Sequence, residues 1–154
     1  MLVQAAEDCF RNGLDSLANG RRREALALFE AAISLERKLG ESRPQARYLS
    51  YYGLCLTLAA DDVHEALRFC REAVTIEGYN ADLRLNLARV LMAAGRKKEA
   101  FATLCKGLDL DRSHAGLRHA VRTMGLRKRP ALPFLGRSHP INVLLGRFRH
   151  RRAA

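Results

Sequence analysis

Three stretches of the chain share one pattern of small and large apolar positions. Arg23 to Ile33 reads Arg-Glu-Ala-Leu-Ala-Leu-Phe-Glu-Ala-Ala-Ile, and the pattern returns from His64 to Val74 and from Lys98 to Leu108. Each copy opens with Glu-Ala, continues with a large apolar residue, and has Ala or Gly seven positions after its first Ala. On a helix, positions i, i+4 and i+7 share a face. The copies therefore present small–large–small stripes: Ala25/Phe29/Ala32, Ala66/Cys70/Ala73 and Ala100/Leu104/Gly107. Small residues admit a neighbouring helix and the larger one fills the gap between them.

The surrounding polar positions divide the chain into seven helices. The first pair is expected from Leu2 to Asn19 and from Arg22 to Leu39, with Asn19-Gly20 as the turn and Gly40 as a C-terminal cap. Gly13 precedes Ala25 by twelve positions and leaves room for the partner helix. Ser42-Arg43-Pro44-Gln45 reads as a capping box for a helix carrying Leu49, Tyr52, Gly53, Leu56 and Leu58 to about Ala60. Asp62-Val63-His64-Glu65 is a second such box, for a helix ending near Glu77-Gly78. Asn80 caps Ala81 to Ala94, Gly95 turns the chain into Arg96 to Leu110, and Ser113 caps a last helix from His114 to Met124.

The spacing of the copies fixes the class. Ala66 to Ala100 is 34 residues and Ala25 to Ala66 is 41, seven more. About six of these fit the connector around Gly40–Arg43, and one fits the turn around Ala60–Asp62. A helix–turn–helix unit recurring every 34 residues resembles the tetratricopeptide repeat family, in the form of a small bacterial-type member. Gly13, Gly20, Ala25, Phe29 and Ala32 carry the resemblance in the first repeat, Gly53, Ala66 and Ala73 in the second, and Ala88, Gly95, Ala100, Leu104 and Gly107 in the third. It covers about residues 6 to 112, without the family's Trp or its terminal Pro, near which Arg37, Gly78 and Arg112 stand. The implied fold is all-α: a right-handed α-solenoid of three helix pairs with a seventh, capping helix over residues 1–126. A basic tail follows at 127–154.

The resemblance also implies a binding surface. The first helix of each pair would line a concave groove through Glu7, Phe10, Leu14, Leu17, Arg47, Ser50, Thr57, Asp82, Leu85, Arg89 and Met92. In one family specialisation, Lys and Asn from successive first helices grip a peptide's terminal carboxylate. Phe10, Leu14 and Tyr51 occupy those positions here and only Asn86 fits, so that clamp is not expected.

Composition adds little chemistry. Cys9, Cys55, Cys70 and Cys105 lie singly in helices, which points to reduced, packed thiols and away from a disulfide or zinc framework. The five histidines are scattered, and His114 and His119 fall on different helix faces, so no metal is expected. His64 lies within a capping box, and Asp109 and Asp111 close a helix beside Arg112. The glycines sit singly at turns and packing points, and none forms a phosphate loop. The expectation is a protein that is not an enzyme and takes no cofactor and no small-molecule substrate. No run of about 18 apolar residues occurs, and the start Met1-Leu2-Val3-Gln4 lacks the basic and apolar segments of a secretory signal. A soluble cytoplasmic protein is expected.

Charge singles out the tail. The chain carries a net +11, of which residues 127–154 contribute +8, with eight Lys/Arg and no acid. Arg127-Lys128-Arg129-Pro130 and the apolar Ala131–Gly136 lead to Ser138-His139-Pro140, a helix start. Ile141, Leu144, Leu145 and Phe148 then recur at helical spacing, with Arg147, Arg149, Arg151 and Arg152 mostly off that stripe. Such aliphatic side chains lose about 1.5–3 kcal/mol each if left in water. Three surfaces would accept them: the array's own end, a partner protein, or a membrane or nucleic acid. The expected function is a protein–protein adaptor that binds an acidic surface or helix, in the groove or through the tail. A nucleic-acid or ribosome-associated factor and an anionic-membrane factor are the alternatives.

Overall fold

A computed structural model describes residues 1–40 and 44–124. Residues 1–124 form one compact unit. Its helices are α1 (Leu2–Ala18), α2 (Arg22–Lys38), α3 (Ala46–Cys55), α4 (Val63–Ile76), α5 (Ala81–Ala93), α6 (Lys97–Leu110) and α7 (Ala115–Thr123). A π-helical turn, Leu56–Ala60, extends α3. There is no strand among the described residues. The pairs α1/α2, α3/α4 and α5/α6 pack most extensively, and each pair leans on the next, which makes an α-solenoid.

The small–large–small stripes are the seam of every pair. Ala25, Phe29, Ala32, Ala66, Cys70, Ala73, Ala100 and Leu104 are completely buried, and Gly107 is buried with them. The facing glycines are equally committed. A Cβ at Gly13 would stand 2.6 Å from Phe29 Cε1, and one at Gly53 would stand 2.8 Å from Cys70 Sγ and 2.9 Å from the Ala66 carbonyl. These helices touch backbone to side chain, with no layer between them.

Two turns repeat the same closure. Arg21 N–H donates to Ser16 O and Arg96 N–H to Leu91 O, with Gly20 and Gly95 in the left-handed region at φ 75° and 73°. The middle turn departs by one residue. Asp62 N–H reaches back to Leu56 O, one position further, and Asp61 takes the left-handed place at φ 55°. The one residue of the seven-residue excess expected in this turn is thus absorbed as the π-turn Leu56–Ala60, slightly ahead of the position expected around Ala60–Asp62. α3 is α-helical only to Cys55 for this reason.

Several caps differ from the sequence expectation. α3 starts at Ala46 with Gln45 at its N-cap, so Pro44 precedes the helix; Ser42 and Arg43 of the expected capping box lie outside the described residues. The buried Glu36 carboxylate accepts the Gln45 N–H at 2.7 Å, doing from α2 what a local cap would have done. Asp62 accepts from Glu65 N–H as expected, but the Glu65 carboxylate turns to Arg68 and does not complete the box. At α7 the cap is His114, whose Nδ1 accepts the Leu117 N–H; Ser113 donates its hydroxyl to Asp111 instead.

Candidate functional groove

The first helices α1, α3 and α5, with α7 beyond them, form one layer of the array. α3 packs on α5 and α5 on α7, whereas the backbones of α1 and α3 make few close approaches. Side chains bridge that wider gap. Phe10 packs on Phe29, Tyr48 and Tyr51 with ring centroids 4.8–5.6 Å apart. Edge-on and tilted aromatic contacts of this kind suit the ring quadrupoles.

Over this cluster lies a charged lid. Arg47 donates from Nη2 to Glu7 Oε2 at 2.6 Å and from Nε to Gln45 Oε1 at 2.8 Å, with its guanidinium 5.1 Å from the Phe10 and Tyr48 ring centroids. The Tyr48 hydroxyl donates to the same Glu7 oxygen at 2.9 Å, and Arg11 pairs with Oε1. Burial by itself would raise the Glu7 carboxyl, but the Tyr48 hydrogen bond and the charges of Arg47 and Arg11 outweigh it and hold the group below its ordinary value. Tyr48 moves the opposite way: burial, then the hydrogen bond to Glu7 and its charge, push the phenol up to about 12.

At the other end of the layer Asp82 meets α7. Its Oδ1 lies 2.9 Å from His114 Nε2. Because His114 Nδ1 accepts the Leu117 N–H, the neutral ring carries its proton on Nε2 and donates it to Asp82. Glu7 and Asp82 are therefore both committed to the neighbouring first helix or cap.

The expected groove residues divide accordingly. Phe10, Ser50 and Leu85 are buried and belong to the packing between helices. Phe10 anchors the aromatic cluster, Ser50 Oγ accepts from Asn86 Nδ2 at 3.1 Å, and Leu85 closes against Gly116 of α7, where a Cβ would come within 2.7 Å of Leu85 Cδ2. Asn86 is itself buried and spent on Ser50, which removes the one clamp position that matched. Leu14, Leu17, Arg47 and Thr57 are half-buried, while Asp82, Arg89 and Met92 are exposed. The Thr57 hydroxyl is buried and has no hydrogen-bond partner among the described residues. Burial comes first in raising the half-buried Tyr51 phenol, followed by the Asp82 charge, with Arg89 opposing. Tyr48 had no place in the sequence reading, and His114 entered it only as the first residue of the last helix and as a histidine set aside for metal binding. The opposite charges of Glu7 and Arg47, at equivalent positions of successive repeats, were the available clue to Tyr48.

The tail residues Ile141, Leu144, Leu145, Arg147, Phe148, Arg149, Arg151 and Arg152 lie outside the described residues. Among the described residues no His/Cys/Asp/Glu cluster has metal-binding geometry, and no helix is long and apolar enough to cross a membrane.

Residues 57–121 match the family model described as Tetratricopeptide repeat. Over that stretch, 65 of the 154 residues, the chain is similar to the tetratricopeptide repeat family. Solved structures with the same repeat share its shape at low identity. The Arabidopsis OM64 TPR domain is 19% identical, with a TM-score of 0.65, covering 81% of this chain and 98% of its own. The first TPR of Spaghetti (RPAP3), bound to an HSP90 peptide, is 13% identical with a TM-score of 0.63 over 79% of this chain and 90% of its own. The second TPR domain of human RPAP3, in complex with an HSP70 peptide, is 14% identical with a TM-score of 0.61 over 80% and 95%. No curated protein sequence matches the chain. At these identities the likeness is one of fold, and the groove side chains are this chain's own.

Proposed function

We propose that the chain is a non-enzymatic protein-interaction adaptor that holds a peptide or helix of a partner in the groove lined by α1, α3 and α5. One observation carries the reading. The groove's acids are engaged internally, Glu7 in an ion pair with Arg47 and Asp82 in a hydrogen bond with His114, while Arg89 is exposed with no carboxylate partner among the described residues. Near this free cation are the exposed Met92, one turn further along α5, and the half-buried Tyr51; Leu14 and Leu17 lie on the first helix of the layer. A segment that offers apolar side chains and one carboxylate fits that inventory. It needs no C-terminal carboxylate, since the clamp residues are absent. The peptide complexes formed by the RPAP3 domains of like fold support a protein ligand.

Selection of peptides from a random displayed library on the full chain tests the reading. Enriched peptides should combine Asp or Glu with Leu, Ile or Phe, and Arg89→Glu should weaken them at least tenfold. No enrichment, or peptides indifferent to Arg89→Glu and Leu14→Asp, would remove the groove from consideration.

A further inference from the structure

Charge is segregated along the array more sharply than the tail alone requires. Residues 1–95 hold 12 Lys/Arg and 13 Asp/Glu, whereas residues 96–124 hold seven and three, a change from −1 to +4. In the second stretch, which is α6, α7 and their connections, the carboxylates are largely occupied. Glu99 pairs with Arg96 and Arg71, and Asp111 accepts from Ser113, leaving Asp109. Lys97, Lys98, Lys106, Arg112, Arg118 and Arg122 are all exposed, and none has an acidic partner among the described residues.

The repeat register sharpens the point. Arg122 follows Ala88 by 34 residues and so occupies the close-approach position that Gly13, Gly53 and Ala88 fill in the three pairs. There a Cβ at Gly13 or Gly53 already collides with the partner helix, yet Arg122 is exposed. A helix packed on α7 in that register would collide with Arg122, and Arg118 stands one turn away.

We propose that this α6–α7 end binds the phosphate backbone of double-helical nucleic acid. The neighbouring residues decide between polyanions. A protein interface has an apolar, aromatic-rich centre, and a membrane-surface helix inserts large apolar side chains. The exposed residues of α6 and α7 include one large hydrophobe, Leu110. Base stacking platforms are built chiefly from exposed Phe, Tyr and Trp, and the stretch has only the half-buried Phe101 of these types. What remains is charge alone, spread over the length of α6, about 20 Å at 1.5 Å per residue. Duplex nucleic acid presents roughly one charge per 1.7 Å of axis, and backbone binding is driven by release of its counterions. The recognition is independent of sequence and of the groove.

Fluorescence anisotropy of the full chain with a labelled, mixed-sequence 20-base-pair DNA duplex tests the surface, with the tail unaltered. The variant carrying Lys98→Gln, Lys106→Gln, Arg118→Gln and Arg122→Gln should bind at least about tenfold more weakly. The slope of its log affinity against log salt should be shallower by about 0.9 for each phosphate that it no longer neutralises. Its melting temperature should stay close to that of the parent, and the charge-keeping variant (Lys98→Arg, Lys106→Arg, Arg118→Lys, Arg122→Lys) should bind as the parent does. Equal affinity and slope for the neutralised variant, or a parent that ignores the duplex yet sediments with phosphatidylserine vesicles, would overturn the proposal.

Discussion

Glu7 and Arg47 stand 40 positions apart and meet at 2.6 Å, tying α1 to α3, whose backbones make few close approaches. The Arg47 side chain is 41% exposed, so screening limits the pair to about 1 kcal/mol. The folded Glu7 carboxyl sits below its ordinary value of 4.5, so its contribution is complete above that value and fades as pH falls through the lower folded one. Glu7→Gln should therefore cost about 1 kcal/mol in urea melts at neutral pH. The difference from the parent should shrink as pH falls below the ordinary carboxylate range and the folded Glu7 takes up its proton. A difference that grew on acidification would contradict the pairing.

The two packing glycines separate rigid from yielding contacts. Gly53→Ala drives its Cβ against the Ala66 carbonyl, which is backbone and cannot turn aside, so a loss of about 1–3 kcal/mol is expected. Gly107→Ala meets only the Leu117 methyls at 2.8 and 3.0 Å, the flexible end of a side chain. There the gain in helix propensity, about 1 kcal/mol, offsets most of the clash. Thermal melting should show a clear drop for the first variant and a small change for the second.

Periodicity makes the seams legible. A stripe such as Ala66/Cys70/Ala73 records what a helix must offer its partner, and all three stripes are buried as read. The spacing of 41 likewise revealed one extra residue, though only the hydrogen bond from Asp62 to Leu56 locates it in a π-turn. The groove was less legible because a first-helix position faces both the concavity and the neighbouring first helix. Which one wins depends on separation: Leu85 is covered by α7, and Phe10 by Tyr48 and Tyr51. His114 was hidden for a related reason, since Ser113 is the commoner cap and only the approach of α5 gives the imidazole its second partner, Asp82.

Asp61 holds a left-handed conformation at φ 55°, where its counterparts Gly20 and Gly95 are glycine. Asp tolerates this region better than most residues, but a Cβ still costs there. Asp61→Gly should stabilise by about 0.5 kcal/mol after the entropy of the added glycine is counted, and Asp61→Val should destabilise by about 1–2 kcal/mol. Chemical denaturation of both variants gives the two signs directly.

The thiols should divide in pairs. Burial pushes Cys55 up to about 11 and Cys70 up to about 12, and the Cys70 thiol donates to the Ser50 carbonyl at 3.4 Å. Both lack accessible thiolate and should react with a thiol reagent only on unfolding. Cys9 and Cys105 are half-buried, and at most these two should label in the native chain. Labelling of all four under native conditions would mean that the α3–α4 seam is open.

Hydrogen–deuterium exchange of the full chain, with and without a peptide selected on it, locates the ligand without assuming any contact. Protection gathered in α1, α3 and α5, centred on the turns that carry Leu14, Tyr51 and Arg89, is the expected result, and Arg89→Glu should abolish it. Protection confined to α2, α4 and α6, or none in the array while the peptide remains bound, would contradict a binding groove on the first helices.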